Sequence, residues 1–143
     1  EAERASKIVK NLLSFARRHP ALPIVIDHAA KPDIAGGEFD TWIAPLGELA
    51  QLPQVWCKLS GLVTQAGGSW TIDGLRRYVE AVIDLFGPSR VIWGSDWPVL
   101  TLAASYAEWV EASDALLAAL GPDDRAAVLG GNARRFYRLD TGD

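Results

Sequence analysis

Cysteine, histidine and excess positive charge are all scarce in this sequence. Its 143 residues include one cysteine, Cys57, two histidines and no methionine. A single cysteine cannot form an intrachain disulfide, which excludes a disulfide scaffold and favours a reducing compartment, so we predict a cytoplasmic protein. Fourteen Lys and Arg against 18 Asp and Glu give a formal net charge of -4. This balance does not favour binding to nucleic acid or to an anionic membrane surface.

Long apolar runs and the common catalytic signatures are also missing. No run approaches the roughly 20 apolar residues that cross a bilayer, and residues 1–4 lack the basic and apolar regions of a signal peptide. The chain has no glycine-rich nucleotide fingerprint, no GxSxG and no HExxH. Two histidines and one cysteine cannot build a closed zinc site within this chain alone. Because no initiator methionine is present, we expect a processed, truncated or excised segment.

Apolar residues alternate between helical stripes and short continuous runs. The helical spacing predicts helices over residues 5–16, 39–50, 72–86 and 106–120, a short helix opened by Pro122, and a last helix capped by Asn132. Continuous runs predict buried strands over 22–26, 55–59 and 91–93, and the glycine-rich stretch 61–69 is predicted to be a loop. Strands separated by helical crossovers pair in parallel and are covered on both faces. The order therefore indicates one α/β domain or part-domain.

Each predicted strand ends in ionisable or hydroxyl side chains. They are Asp27 and His28, Lys58 and Ser60, and Ser95 and Asp96. Ligands of parallel α/β folds bind at the carboxyl ends of the strands, so these ends are the candidate site. Polar residues at strand ends are also common for solubility alone, and the pattern by itself leaves that alternative open.

His28 and Asp96 carry the most specific chemical hypotheses. The imidazole of His28 can bind a divalent metal or donate a hydrogen bond to a polarised carbonyl, or it can simply bond to a backbone carbonyl. Asp96 follows Gly94-Ser95 on a tight turn. It can act as a general base toward water or as a metal ligand, or it can serve as an N-cap or Asx-turn residue.

The neighbouring residues have two interpretations each. Lys58 lies in an otherwise apolar strand, so it either points into a polar site or pairs with a carboxylate such as Asp27. Asp27 is either that partner or the residue that orients His28. Trp97 either packs at the rim or forms a pocket wall. Cys57, with apolar neighbours in mid-strand, is predicted to be a buried structural thiol.

Four segments together resemble the carboxy-terminal half of the amidohydrolase-related metal-dependent hydrolases. They are LPIVIDHAAKP (22–32), VWCKLSGLVTQA (55–66), FGPSRVIWGSDWPV (86–99) and GNARRFYRL (131–139). The resemblance is strongest to the branch that contains L-fuconolactonase, L-rhamnono-lactonase and 2-pyrone-4,6-dicarboxylate lactonase. It runs in order over nearly the whole chain, and the combination of GSDWP, DHxxKP and KLSG is specific.

The resemblance implies a fold and a set of roles. The three strands would be the sixth, seventh and eighth of a (β/α)8 TIM barrel. Asp96 would activate the hydrolytic water and later protonate the leaving group, and His28 would lie near the scissile carbonyl. Lys58, Ser60 and Trp97 would line the substrate pocket. A divalent metal such as zinc, with His28 and Asp96 as candidate ligands, is used by some members of the family and not by others.

We therefore expect hydrolysis of a small-molecule sugar lactone or related cyclic ester. The alternatives are a decarboxylase of the same superfamily that acts on an aromatic or muconate-like acid, and a catalytically silent fragment that acts as an interaction module. Family members begin with a strand that ends in His-x-His, which this chain lacks, and a complete barrel needs roughly 250 residues. Residues 1–143 are thus expected to be a partial barrel domain without its amino-terminal half, inactive in isolation and prone to self-association through exposed sheet edges.

Overall fold

The computed structural model describes the backbone of residues 2–139 and the side chains of residues 7–139. It contains seven α-helices within that range. They are α1 Ala2–Arg18, α2 Asp40–Ala50, α3 Leu62–Ala66, α4 Ile72–Phe86, α5 Tyr106–Leu116, α6 Pro122–Ala126 and α7 Asn132–Tyr137. None of the described helices is long and apolar enough to cross a bilayer.

Three strands form one parallel sheet, as predicted. They are β1 Ile24–Ile26, β2 Val55–Leu59 and β3 Val91–Trp93, in the spatial order β1-β2-β3. Ile26 pairs with Cys57, and Cys57 pairs with Val91, so the strands run in register toward one common carboxyl-terminal edge. The α/β architecture with parallel strands and helical crossovers is confirmed.

The helix α4 shows why the helical predictions succeed. Its apolar residues recur at helical spacing, and one face, which includes Leu75, Val79 and Val82, is at most 1% exposed. Thr71 caps its start by accepting a hydrogen bond from the Gly74 amide at 3.0 Å. The helix ends as predicted at Phe86, before a glycine with positive φ.

The two faces of the sheet are covered unequally. Val55, Cys57 and Leu59 on one face of β2 are at most 1% exposed, whereas Trp56 and Lys58 on the other face are only partly buried. The prediction that both faces are covered therefore holds for one face of the described sheet. On the other face, the Phe136 ring approaches Trp56 with ring centroids 5.3 Å apart.

Several predicted boundaries are wrong, including that of the predicted helix 106–120, which ends at Leu116. The predicted loop 61–69 contains the helix α3, which is five residues long and therefore too short to show a helical period in the sequence. The predicted first strand begins at Ile24 and not at residue 22. Pro23 has no amide hydrogen to donate to a neighbouring strand, and the Leu22 amide bonds to the His19 carbonyl.

The predicted N-cap at Asn132 is also wrong. The backbone stays helical from α6 through a π-turn at Ala127–Gly131 into α7. The fully buried side chain of Asn132 donates hydrogen bonds to the carbonyls of Pro88 at 2.6 Å and Val91 at 2.8 Å. Arg135 donates to its side-chain oxygen at 2.7 Å. Asn132 thus links the last helix to the start of β3.

A half-buried arginine forms hydrogen bonds at the amino-terminal end of β2, which is the end away from the candidate site. Arg90 donates hydrogen bonds to the carbonyls of Ala50, Leu52 and Val55. Burial lowers the pKa of Arg90 from its ordinary value. The hydrogen bonds from its guanidinium give donors to carbonyls at the end of α2 and the start of β2. These bonds stabilise the amino-terminal edge of the sheet.

Candidate active site

The three strand ends bring Asp27, Ser60 and Asp96 together around His28. Its Nε2 atom lies 3.5 Å from Asp96 Oδ1 and 3.3 Å from Asp27 Oδ2. Its Nδ1 atom lies 2.8 Å from Ser60 Oγ. Lys58 Nζ joins the group through Asp27 Oδ1, at 3.1 Å. Side chains at the carboxyl-terminal ends of β1, β2 and β3 thus meet at one edge of the sheet.

His28 begins a run of left-handed backbone. The φ angles of His28, Ala29, Ala30 and Lys31 are 49°, 48°, 60° and 52°. For residues with a Cβ atom, each such conformation costs on the order of 1–2 kcal/mol. The Lys31 amide closes the turn by donating to the His28 carbonyl at 2.8 Å. The indole of Trp42, in α2, donates to the Ala29 carbonyl at 2.7 Å.

When the His28 ring is neutral, its neighbours favour one of the two tautomers. Nε2 faces two carboxylates, which can only accept hydrogen bonds when ionised. We therefore assign the ring hydrogen to Nε2, which leaves Nδ1 as an acceptor. Ser60 is 1% exposed, and its hydroxyl then donates to Nδ1. The Nε2–H group then faces the carboxylates of both Asp27 and Asp96.

Asp96 follows β3 and itself adopts a left-handed backbone conformation. Its φ is 59°, and its side chain is 14% exposed beside His28. The alternative in which it caps the next element is not observed, since the 3-10 turn Val99–Leu102 has no side-chain cap. The Asp96 carbonyl accepts from the Leu100 amide at 2.8 Å. Just before it, the Gly94 carbonyl accepts from the indole of Trp109 at 2.9 Å.

Asp27 makes both of the contacts that were open alternatives. One carboxylate oxygen faces Lys58 and the other faces His28. Burial lowers the pKa of Lys58, but the hydrogen bond and the charge of Asp27, with a smaller contribution from Tyr137, outweigh it and raise that pKa above its ordinary value. Lys58 therefore remains a cation that restrains Asp27.

Gly61 is a site residue that the sequence reasoning missed. Its φ is 71°, and a Cβ atom there would lie 3.0 Å from the Cβ, Cγ and Nδ1 atoms of His28. A larger residue would therefore both strain the backbone and press on the imidazole. In the sequence, the only signal is a glycine directly after the serine that bonds to that ring.

The remaining predicted residues are less involved. Trp97 is 66% exposed, so its ring lies largely at the surface. Cys57 is fully buried, and burial raises the pKa of its thiol far above the ordinary value. The prediction of a buried structural thiol is confirmed.

The candidate metal ligands do not complete a site among the described residues. No group of three or more His, Cys, Asp and Glu side chains in residues 7–139 is arranged to hold a metal ion. His28 and Asp96 would supply two donors, whereas catalytic zinc sites use three protein ligands. The described residues alone therefore do not fit a divalent metal.

Comparisons with known proteins identify the family of the chain. A model of the amidohydrolase family matches residues 9–139. The chain is 53% identical over 136 residues to an L-fucono-1,5-lactonase from Burkholderia ambifaria, a match that covers 90% of this chain and 46% of that protein. It is 25% identical over 150 residues to an L-rhamnono-gamma-lactonase from Scheffersomyces stipitis, which covers 91% of this chain and 45% of that protein.

A solved structure matches the fold as well. An amidohydrolase from Burkholderia multivorans with bound zinc is similar with a TM-score of 0.86 and 42% identity, over 94% of this chain and 50% of that chain. The chain spans about half the length of the curated relatives it matches. The family match covers most of the chain, and the lactonases are among the relatives. This chain therefore belongs to the amidohydrolase family.

Proposed function

We propose that the protein carrying this chain hydrolyses a sugar lactone or a related cyclic ester. The observation that carries the proposal is the approach of His28 Nε2 to Asp96 Oδ1, 3.5 Å apart at the carboxyl-terminal edge of a parallel sheet. The names of the relatives indicate the substrate class, since two of them are sugar lactonases. A carboxylate beside an imidazole donor is suited to attack by water on a carbonyl.

The proposed reaction needs one proton carried by Asp96. Its carboxylate takes a proton from water, and the resulting hydroxide attacks the ring carbonyl carbon. The Nε2–H group of His28 donates to the oxygen on which negative charge develops. When the tetrahedral intermediate collapses, the bond from that carbon to the ring oxygen breaks. Asp96 then returns its proton to the ring oxygen, so the product is the open hydroxy acid.

The other site residues have supporting roles in this proposal. Ser60, by donating to Nδ1, keeps the His28 hydrogen on Nε2. Asp27 restrains the imidazole and the ammonium of Lys58 together. Lys58 and Trp97 are proposed to contact the substrate, because their side chains retain exposed surface at the same edge. Ser60 is too buried for direct contact with substrate, which favours the orienting role over the pocket-lining role predicted for it.

We further propose that residues 1–143 form the sixth to eighth strand-helix units of a (β/α)8 barrel. In the described part of the chain, neither β1 nor β3 pairs with a further strand on its outer edge. The half-covered face of β2 is consistent with an interior that other strands would fill. Without them, we expect these edges and this face to promote self-association. Further donors for a zinc ion would also come from such strands.

Hydrolysis of L-fucono-1,5-lactone by the protein as its gene encodes it tests the proposal. The Asp96→Asn variant removes the base and should lower kcat by about 100-fold or more. Asp73→Asn is the matched control, because Asp73 is 94% exposed in the first turn of α4, and it should leave kcat unchanged. Unaltered turnover by Asp96→Asn would overturn the role of Asp96. Release of carbon dioxide from an aromatic acid, without lactone hydrolysis, would overturn the reaction class in favour of a decarboxylase.

A further inference from the structure

A buried indole donates a hydrogen bond to the backbone next to each proposed catalytic group. Trp42 Nε1 donates to the Ala29 carbonyl at 2.7 Å, one residue after His28. Trp109 Nε1 donates to the Gly94 carbonyl at 2.9 Å, two residues before Asp96. The two tryptophans belong to α2 and α5, the helices that follow β1 and β3.

The left-handed turn at His28 needs such an external contact. A run of four residues with positive φ has little intrinsic stability, so tertiary contacts must determine its conformation. Trp42 is only 8% exposed, and its ring packs against Phe39 and Tyr78 at centroid distances of 5.5 and 5.2 Å. Because these rings restrain the indole, its N–H group is a fixed donor for the Ala29 carbonyl.

The contact near Asp96 is equally constrained. Trp109 is 1% exposed, and its ring stacks on Trp93 of β3 with an interplanar angle of 11°. Trp93 Nε1 donates to Ser113 Oγ at 2.7 Å, and that hydroxyl donates to the Trp109 carbonyl at 2.7 Å. The backbone and the ring of Trp109 are therefore both tied to the strand that precedes Asp96.

We propose that Trp42 and Trp109 are positioning residues that set the distance between His28 and Asp96. Each indole N–H fixes one loop against its own helix, and the two loops carry the groups that must act on one substrate carbonyl. The inference rests on the proposed function for its catalytic consequence. A misplacement of about 1 Å in a reacting group can reduce turnover by about 100-fold. Loss of either N–H donor therefore reduces kcat without removing a catalytic group.

Three matched tryptophan substitutions test this inference in the protein as encoded. Trp42→Phe and Trp109→Phe remove the N–H donors and retain an aromatic ring. Trp70→Phe is the control, because Trp70 Nε1 makes the same kind of bond, at 3.1 Å, to the Ala103 carbonyl, which does not adjoin either proposed catalytic residue. We expect kcat for L-fucono-1,5-lactone to fall about tenfold or more in the first two variants, with little change in KM, and to stay unchanged in the control.

A readout independent of activity separates this inference from the proposed reaction. The amides of Lys31 and Leu100 donate to the carbonyls of His28 and Asp96, each at 2.8 Å, so their hydrogen exchange reports on the two turns. Exchange at Lys31 should accelerate at least tenfold in Trp42→Phe, and exchange at Leu100 should do so in Trp109→Phe, with neither change in Trp70→Phe. This result supports the inference even if the wild-type protein does not hydrolyse lactones.

Two outcomes would overturn the inference. The first is hydrogen exchange at the Lys31 and Leu100 amides that stays at the wild-type rate in Trp42→Phe and Trp109→Phe. The other is a fall in kcat that is as large in Trp70→Phe as in the other two, because it would mean that general loss of packing is the cause. Replacement of each indole by the benzothienyl analogue, in which sulfur takes the place of N–H, removes the donor at nearly constant shape. Wild-type kcat and exchange in those proteins would contradict a role for the hydrogen bond.

Discussion

Replacing Asn132 tests how strongly a single buried amide stabilises the fold. Its NH₂ group donates to the carbonyls of Pro88 and Val91, and its oxygen accepts from Arg135. Asn132→Ala removes these bonds and leaves buried carbonyls without a donor. At about 1–3 kcal/mol for each of the two carbonyls left without a donor, the free energy of unfolding should fall by about 2–6 kcal/mol.

Asn132→Asp is the more informative variant, because it has almost the same shape. It keeps an acceptor for Arg135 but places a charged oxygen 2.6 to 2.8 Å from two carbonyl oxygens, at the position of the amide nitrogen. It should therefore destabilise the fold at least as much as Asn132→Ala at pH 7. Urea unfolding followed by tryptophan fluorescence gives both values, with exposed Asn11→Ala in α1 as the control. A loss under about 1 kcal/mol for Asn132→Ala, or a milder effect for Asn132→Asp, would refute this reasoning.

Two further predictions concern the site. Gly61→Ala should lower both kcat and the free energy of unfolding, the latter by about 1–2 kcal/mol, because its Cβ atom would meet the His28 ring. Gly68→Ala is the control and should change neither quantity, because a Cβ atom at Gly68 would have no neighbour within 4 Å. Equal effects of the two variants in urea unfolding and in lactone turnover would contradict the close approach of Gly61 to His28. The raised pKa of Lys58 means that its pairing with Asp27 stabilises the fold below the ordinary value of 10.5 and is lost as pH rises through the raised pKa. The difference in unfolding free energy between wild type and Asp27→Asn should therefore be constant from about pH 7 to 10 and narrow above that range, and narrowing already below pH 9 would contradict the pairing.

Local sequence patterns were sufficient to predict most of the fold. The helix α4 and the strand β2 have the predicted bounds, because amphipathic spacing and solid apolar runs are set by neighbouring residues. The convergence of His28, Ser60 and Asp96 also followed from a local feature. Polar residues at the ends of parallel strands must share an edge once the strands are in register.

The features that the sequence did not indicate depend on contacts between distant segments. Asparagine is a residue type that favours N-cap positions. Asn132 acts instead as a buried donor, because β3 places the Val91 carbonyl beside its side chain. The left-handed run at His28 contains no glycine, and the Trp42 indole that bonds to its Ala29 carbonyl comes from a different element, α2. Gly61 resembles an ordinary loop glycine until the imidazole is placed beside it. Tertiary packing decides each of these cases.

If His28 and Asp96 act as one unit on the same lactone carbonyl, as proposed, a double-variant cycle measures their coupling most directly. The variants are His28→Asn, chosen because asparagine tolerates the left-handed φ of 49°, Asp96→Asn and their combination, each assayed for kcat/KM on L-fucono-1,5-lactone. If the two groups are coupled, the double variant should lose little more activity than the worse single variant. If the two single losses multiply in the double variant, His28 and Asp96 act independently and the account is contradicted.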